Sequence, residues 1–304
     1  MKNIEKTELS IHSIGNRAMD ILSVEKIAEI LGITSKGIFI KFENNKMVFL
    51  SFEDYRGPLT ANLSGDFRHF TRLSRGGKVT FFREAILFPD SKISISTSNS
   101  KVWKPSKPTE SSINPEDRLG LIRGLALDIY QSKKGEGLSE MLPAMVGFSP
   151  ENAKGNTQYQ GFNAKIEEIR NQIAVGNLLP LSQTIQSFLG LGGGLTPSGD
   201  DFVIGLLLSI NRWSTIFHQI KNLATFNKEI VEAAYKHTTT LSANLIECAA
   251  LGSADERLIQ AVDHLATGKY HLDEVIPGLI SWGNSSGVDA LVGMMTAFLP
   301  LDQS

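Results

Sequence analysis

The sequence predicts an α+β fold in which a β-rich N-terminal domain is followed by a mainly α-helical C-terminal domain. In the first hundred or so residues, short runs of β-branched and aromatic residues are separated by turn residues, which is typical of strands. Beyond residue 118, apolar residues recur instead at helical spacing. A chain of 304 residues is long enough for two domains.

The N-terminal domain, predicted to cover residues 1–105, contains a clear hairpin signal. From Gly37 the sequence GIFIKF is followed by the turn residues Asn44 and Asn45, and an apolar run resumes at Met47. Three later stretches also predict strands: GPLTANLSG, GKVTFFREAILF and SKISIST. A helix is expected before the hairpin, around Val24 to Leu31.

The two domains are joined by a predicted linker at residues 106–117, within the stretch KPSKPTESSINPED, which is rich in proline and serine. The helical domain is then predicted over residues 118–304. The stretch GEGLSEMLPAMVGFSPENAKGNTQYQG is expected to be a long loop. Six stretches predict helices: PEDRLGLIRGLALDIYQ, NAKIEEIRNQIAVG, DDFVIGLLLSINRW, FNKEIVEAAYKHTTTLSANLIECAALG, DERLIQAVDHLATG and VDALVGMMTAFL.

Composition excludes several classes of function. The 30 basic and 32 acidic residues leave a net charge of -2, without the basic block that a nucleic-acid partner would need. The longest apolar runs are shorter than the roughly 20 residues of a membrane-spanning helix. A single cysteine, Cys248, allows no internal disulfide, and the scattered histidines do not predict zinc. We therefore expect a cytoplasmic protein without a nucleic-acid or membrane partner.

The stretch GLGGGLTPSGDD, residues 190–201, leads directly into an apolar helix. Ser198 is expected to be the N-cap of that helix, and Ser198 with Asp201 forms a variant of the capping box. Capping alone would account for the serine and the acids. It would not account for the consecutive glycines Gly192, Gly193 and Gly194, nor for a helix that is apolar nearly all round and therefore buried.

A second stretch, GNSSGVDALVGMMTAF, repeats the same spacing. Its Ser286-Gly287-x-Asp289-x-x-x-Gly293 matches Ser198-Gly199-x-Asp201-x-x-x-Gly205. We expect the two helices to cross closely at Gly205 and Gly293, which would bring their N-termini to one place. The alternative is a chance recurrence of a common capping pattern.

Two helix N-termini at one place would attract an anion, because free amides and the helix dipole favour negative charge. Asp200 argues against a bare phosphate and favours a small anionic ligand with an amide end, or an anion bridged by Mg²⁺. Asp200 and Asp201 are the catalytic candidates, and Asp200 is also the candidate Mg²⁺ ligand; no other cofactor is indicated. The candidate binding residues are Gly192, Gly193, Gly194, Thr196, Ser198, Gly199, Ser285, Ser286 and Asp289, with Thr239, Ser242 and Asn244 from the stretch HTTTLSANLIE.

The stretch GLGGGLTPSGDDFVIGLLL closely resembles the signature of a bacterial domain-of-unknown-function family that includes AllH, a subunit of oxamate carbamoyltransferase. TTTLSANLIECAALG and GNSSGVDALVG resemble other segments of that family more loosely. The resemblance covers mainly residues 185 to 298, and in the N-terminal half only HSIGNRA matches. Gly193 departs from the family, which usually has proline there.

The resemblance implies reversible carbamoyl transfer between carbamoyl phosphate and oxamate in allantoin and purine catabolism. Oxalurate is the carbamoylated form of oxamate in this reaction. The resemblance also implies partner subunits, and the sequence leaves open whether the chain is active alone or forms a homo-oligomer. A non-catalytic ligand-binding or scaffold subunit is the alternative, and a Mg²⁺-dependent kinase- or phosphatase-like enzyme is a third reading.

Overall fold

The computed structural model describes residues 7–65, 67–108, 110, 113–148 and 157–299, with only the backbone described for 157–160. The chain divides into two compact units, Met1–Ser106 and Lys107–Ser304. Parts of the predicted linker and of the predicted long loop lie outside the described residues, namely 109, 111–112 and 149–156. The predicted α+β class is confirmed, since the strands lie within residues 7–103 and helices follow.

The described part of the first unit contains a nine-stranded sheet in the order β5-β4-β3-β2-β6-β7-β8-β1-β9. An additional antiparallel pairing of β1 with β5 closes this sheet on itself. The strands are β1 Thr7–Gly15, β2 Ile27–Thr34, β3 Gly37–Phe42, β4 Met47–Ser51, β5 Thr60–Ser64, β6 Lys78–Phe82, β7 Ala85–Phe88, β8 Ile93–Ser96 and β9 Lys101–Trp103.

The hairpin predicted after Gly37 is present, and the stretch predicted as a strand at residues 77–88 forms a second hairpin. β3 and β4 pair antiparallel, and Asn45 between them has a φ of 62°, a backbone conformation that asparagine tolerates better than most residues. The stretch GKVTFFREAILF forms β6 and β7, which are joined by Arg83 and Glu84 with φ values of 45° and 59°. Two consecutive positive φ values fit the turn that matches the twist of a two-residue hairpin.

The helix predicted at Val24 to Leu31 is wrong. The structure has α1 earlier, at Asn16–Val24, and places β2 over most of the predicted helix. The spacing of the apolar residues in this stretch is compatible with a helix or with a strand. Along the start of β2, however, buried and exposed residues alternate, and Ala28 and Ile30 are buried. Because β2 pairs with β3 on one side and with β6 on the other, this segment is stabilised as a strand and not as a helix.

The second unit is helical in its described residues. Its helices are α2 Pro115–Lys133, α3 Leu142–Met145, α4 Thr157–Val175, α5 Leu178–Gln186, α6 Ser198–Arg212, α7 Leu223–His237, α8 Thr240–Ala249, α9 Glu256–Thr267, α10 Leu272–Ser281 and α11 Ser286–Phe298. Sequence reasoning missed α3, α5 and α10, and it merged α7 with α8. Among the described residues, no helix is both long and apolar enough to span a membrane.

Helices α6 and α11 form the centre of this unit. Every residue of α6 from Gly199 to Ile210 is buried, and so is every residue of α11 from Gly287 to Phe298. A Cβ added at Gly205 would overlap the carbonyl oxygen of Ala290, and one added at Gly293 would overlap that of Phe202. The predicted close crossing of the two helices at their glycines is therefore confirmed.

Candidate functional site

The starts of three helices meet at the glycine-rich loop, which we define as residues 190–197. The hydroxyl of Thr196 lies 3.2 Å from that of Ser286, the first residue of α11. Thr239, which caps α8, donates a hydrogen bond of 2.7 Å to the carbonyl oxygen of Leu195. The loop itself continues into α6, so the starts of the three helices lie close together, and the first-turn amides of Gly199 and Gly287 already donate to the carbonyl oxygens of Leu191 and Trp282.

Ser198 does not cap α6, contrary to the sequence prediction. The helix begins at Ser198, the N-cap is Pro197, and no side chain caps it. The backbone oxygen of Pro197 accepts hydrogen bonds from the amides of Asp200 and Asp201. The fixed φ of proline is also suited to a helix start. The Ser198 hydroxyl instead interacts by hydrogen bonding with the carboxyl group of Asp289 on α11. The predicted capping box between Ser198 and Asp201 does not form.

The glycines of the loop are required at particular positions. Gly190, Gly192 and Gly194 have φ values of 75°, 114° and 93°, which residues with a side chain rarely adopt. Gly193 has no positive φ and no neighbour that a Cβ would meet. A Cβ at the exposed Gly193 would therefore meet no steric conflict.

Asp200 is fully buried and braces the loop. One carboxylate oxygen accepts from the amide of Gly190 at 2.8 Å, and the other accepts from the hydroxyl of Thr238. Since both oxygens have internal donors, the geometry gives Asp200 a structural task. Its predicted catalytic and Mg²⁺-binding roles stay predictions. The described residues contain no group of three or more His, Cys, Asp or Glu side chains arranged to hold a metal ion.

Asp201 is also fully buried, but within the described part of the chain neither of its oxygens has a hydrogen-bond partner. Burial raises the pKa of this carboxyl well above 3.8, and the negative charge of Asp289 raises it further. The hydroxyls of Ser286 and Thr196 lower the pKa in part, although neither is placed for a good hydrogen bond. Burial therefore favours the protonated form of Asp201 over its carboxylate.

Asp289 occupies the matching position on α11 and is equally buried, but it is fully partnered. Its carboxylate accepts from the amide of Leu138 at 2.6 Å and from the hydroxyl of Ser285 at 3.1 Å. Burial raises the pKa of Asp289 to about 6, while the donors from Leu138, Ser198 and Ser285 limit the rise.

The loop after α2 completes the site, and sequence reasoning missed it. A Cβ at Gly137, whose φ is 52°, would overlap a carboxylate oxygen of Asp289. Lys133, at the end of α2, donates a hydrogen bond of 3.1 Å to the carbonyl oxygen of Asn284, next to Ser285, and also pairs with Glu136. The only local signal is a lysine followed by the glycine-rich GEG, which is consistent with many surface loops.

The candidates on α8 divide into two kinds. Thr239 accepts from the amide of Ser242 at 3.1 Å, and the buried Ser242 hydroxyl has no hydrogen-bond partner among the described residues. Asn244 donates from its side chain to the carbonyl oxygen of Thr240 at 2.8 Å, within its own helix. Thr239 is therefore tied to the loop, whereas the hydrogen bond of Asn244 ties it to α8.

A cavity of about 360 Å³ lies between α5 and α7. Its polar lining includes Ser182, Gln186, Glu229 and Lys236, and the first of these donates to Glu229 at 3.1 Å. His237 also lines it and directly precedes Thr238, the donor to Asp200. None of the candidate binding residues lines this cavity, and the predicted site at the helix starts stays a prediction.

The family described as oxamate carbamoyltransferase subunit AllH matches residues 188–298. This segment runs from within the turn after α5 through α11, so it includes the glycine-rich loop and the buried acids Asp200, Asp201 and Asp289. No solved structure matches the chain. The chain therefore carries an AllH-like segment that coincides with the candidate site.

Proposed function

We propose, from the AllH-like segment at residues 188–298, that the chain is a subunit of a carbamoyltransferase. Its substrates would be oxamate or oxalurate with carbamoyl phosphate or phosphate, in allantoin catabolism. The ligand site would lie at the starts of α6, α8 and α11, and other subunits would complete the catalytic assembly. This places the chain in the transferase class only as part of such an assembly.

The observation that carries this proposal is the unpartnered carboxyl of Asp201. Leaving a buried polar group without a partner costs roughly 1–3 kcal/mol, so a protein that keeps one commonly has a ligand for it. Asp201 lies beside two hydroxyls, at the point where the helix starts meet. A small molecule bound there would supply the missing partner.

The chemistry of a carbamoyl group suits this carboxyl. A primary amide has an N–H donor and a carbonyl acceptor side by side, and a protonated carboxyl has the complementary pair. Asp201 would donate its proton to the carbonyl oxygen and accept from the N–H with its other oxygen. The hydroxyls of Thr196 and Ser286 would give up their mutual contact and turn toward the ligand.

The helix starts would stabilise the negative charge of the ligand. Carbamoyl transfer forms a bond from the attacking nitrogen to the carbamoyl carbon, and the bond from that carbon to the phosphate oxygen breaks with its electron pair on phosphate, which takes up the proton that the nitrogen loses. Negative charge grows on the carbonyl oxygen and on the leaving phosphate. The positive ends of the helix dipoles, together with the reoriented hydroxyls of Thr196 and Ser286, would stabilise these oxygens.

The test is a thermal-shift titration of the full chain with carbamoyl phosphate, phosphate, oxamate and oxalurate, each with and without Mg²⁺. A ligand at about 100 times its Kd should stabilise the chain by roughly 2.7 kcal/mol. Ser286→Ala should reduce that shift because it removes a hydroxyl donor from the site. The matched control is Ser132→Ala, since Ser132 is exposed and bonds only to its own helix.

An equal shift in Ser286→Ala and in the unsubstituted chain would contradict the proposed site. If a shift is seen, phosphate release from carbamoyl phosphate in the presence of oxamate should then be measured with the complete assembly. The Ser286→Ala subunit should lower this rate in the assembly, whereas the Ser132→Ala subunit should not.

A scaffold subunit without a ligand is the second candidate, and one observation favours it. Asp200 bonds to Gly190 and Thr238, and Gly205 and Gly293 allow close packing, so much of the motif has a structural task. A scaffold predicts no thermal shift with any of the four ligands. It also predicts that Ser286→Ala leaves the activity of the assembly unchanged.

A further inference from the structure

We infer that the cavity between α5 and α7 is a second small-molecule site, which takes a short zwitterion with an ammonium group at one end and a carboxylate at the other. The bound molecule would also hold the start of the glycine-rich loop in place. The inference goes beyond the proposed function and does not depend on it, because none of the candidate binding residues lines this cavity.

The charged residues that line the cavity follow a fixed order along α7. Glu229 and Glu232 come first, Ala233 follows them, and Lys236 and His237 end the helix. Residues three, four or seven positions apart share one face of a helix. At a rise of ~1.5 Å per residue, Glu229 and Lys236 are ~10 Å apart along the helix axis. A molecule lying along this face would therefore place an ammonium group at the acids and a carboxylate at the lysine.

The carboxylate of Glu229 is held in place from the opposite wall. The buried Ser182 on α5 donates to one of its oxygens at 3.1 Å, and Gln186 donates to Ser182 at 3.0 Å. These hydrogen bonds cross from α5 to α7 and orient the carboxylate, whose second oxygen can accept from a ligand ammonium group. Ala233, between the two charged ends, presents only a methyl group, so a short hydrocarbon chain can lie against it.

The volume of the cavity limits the size of the ligand. About 360 Å³ lies near the lower end of the range of roughly 300–1,000 Å³ that is typical of small-molecule sites. The cavity therefore suits a short chain with two charged ends.

Both walls of the cavity end at the glycine-rich loop. α5 ends at Gln186, shortly before Gly190, and α7 ends at His237, next to Thr238. The Gly190 amide and the Thr238 hydroxyl donate to the two carboxylate oxygens of Asp200. A Cβ at Gly190 would also overlap the carbonyl oxygen of His237. Asp200 therefore ties the ends of α5 and α7 together, and a ligand that fixes the spacing of these helices also fixes the start of the loop.

Three probes test the ligand class. ε-Aminocaproate, caproate and hexylamine share the same unbranched carbon chain and carry both charged ends, the carboxylate alone or the ammonium group alone. Calorimetric titration of the full chain should give a Kd for ε-aminocaproate about tenfold or more below the other two. Equal Kd values, or no binding of ε-aminocaproate, would overturn the inference.

Two variants test the assignment of the ends. Glu229→Gln and Lys236→Met should each raise the Kd of ε-aminocaproate about tenfold. Glu229→Gln should leave caproate binding unchanged, and Lys236→Met should leave hexylamine binding unchanged, since each probe lacks the group that the substituted residue contacts. Lys221→Met is the matched control, because Lys221 is exposed ahead of α7 and is not among the residues that line the cavity. An unchanged Kd in either folded cavity variant would overturn the assignment.

Hydrogen exchange tests the tie to the loop. Saturating ε-aminocaproate should slow exchange of the Gly190 amide by about fivefold or more, measured in the peptide that contains it. Thr238→Val should still bind the probe but lose most of this slowing, whereas Thr238→Ser keeps the hydroxyl and should retain it. Exchange that does not respond in the unsubstituted chain, or slowing that survives in Thr238→Val, would overturn the tie. None of these measurements uses oxamate or carbamoyl phosphate, so the inference and the proposed function can fail separately.

Discussion

At the scale of single residues, Asp201 and Asp289 show how one repeated motif serves two purposes. Both acids stand at the fourth position of the matched spacing and both are fully buried. Asp289 is held by the Leu138 amide and the Ser285 hydroxyl, whereas Asp201 has no hydrogen-bond partner among the described residues. The difference gives Asp289 a structural role, while ligand binding by Asp201 is our proposal.

The raised pKa of Asp289 predicts how stability depends on pH. Its pKa of about 6 in the folded chain exceeds the ordinary 3.8, so the folded state binds more protons between these values. The free energy of unfolding therefore falls as pH rises through this window, and the loss is complete above about pH 6. Asp289→Asn lacks this loss, so its free energy of unfolding relative to that of the unsubstituted chain should rise by up to about 3 kcal/mol across this window.

Urea unfolding of both proteins at about pH 4 and about pH 7.5 measures this change. Asp273→Asn is the control, because Asp273 is also in the first turn of a helix but is exposed. The difference between Asp289→Asn and the unsubstituted chain should grow with pH, while that for the control stays nearly constant. A difference that is constant or shrinks with rising pH would contradict the assignment.

At the scale of elements, the site depends on how closely α6 and α11 approach each other. Gly205 lies against Ala290 and Gly293 lies against Phe202, so backbone contacts backbone. This contact brings the two helix starts together and allows Thr196 to reach Ser286. The close approach at the repeated glycine, about two turns from the start of each helix, is therefore a condition for bringing the helix starts together.

Gly205→Ala and Gly293→Ala should each lower the free energy of unfolding by about 1–3 kcal/mol, because the added methyl group overlaps a backbone carbonyl oxygen. Both should also weaken ligand binding by moving the helix starts apart. Gly120→Ala is the control, since Gly120 is exposed in α2 and a Cβ there meets nothing within 4 Å. That variant should be neutral or more stable by roughly 0.5–1 kcal/mol.

Denaturant unfolding of the three variants side by side decides the matter. The proposed packing is wrong if Gly205→Ala or Gly293→Ala is as stable as Gly120→Ala.

At the scale of the whole molecule, the chain consists of two compact units, and the AllH-like segment lies entirely in the second. Every residue assigned to the site also belongs to the second unit, including Lys133 and Leu138. The first unit, with its closed sheet, therefore contributes no residue to the candidate site.

Limited proteolysis tests the division into domains that the sequence predicts. Trypsin should cut poorly between the units, because Lys104 and Lys107 are each followed by proline. A protease specific for glutamate should cut early at Glu110, which is exposed and outside any helix or strand. Mass spectrometry should find a fragment ending at Glu110 among the first products. Early cleavage within β1–β8 or α6–α11 instead would contradict the predicted domains.

The sequence by itself determined the fold class, the hairpin after Gly37, the close crossing of α6 and α11 and the place where their N-termini meet. These features are encoded locally, by the period of apolar residues, by turn residues and by a repeated spacing. Only the tertiary structure decided between strand and helix near residue 27 and gave the three acids different surroundings. The reason is distance along the chain: Leu138, the donor to Asp289, is 151 residues away from it, and β2 owes its conformation to its partner strands. No local pattern contains such contacts, because they form only when the folded chain brings the segments together.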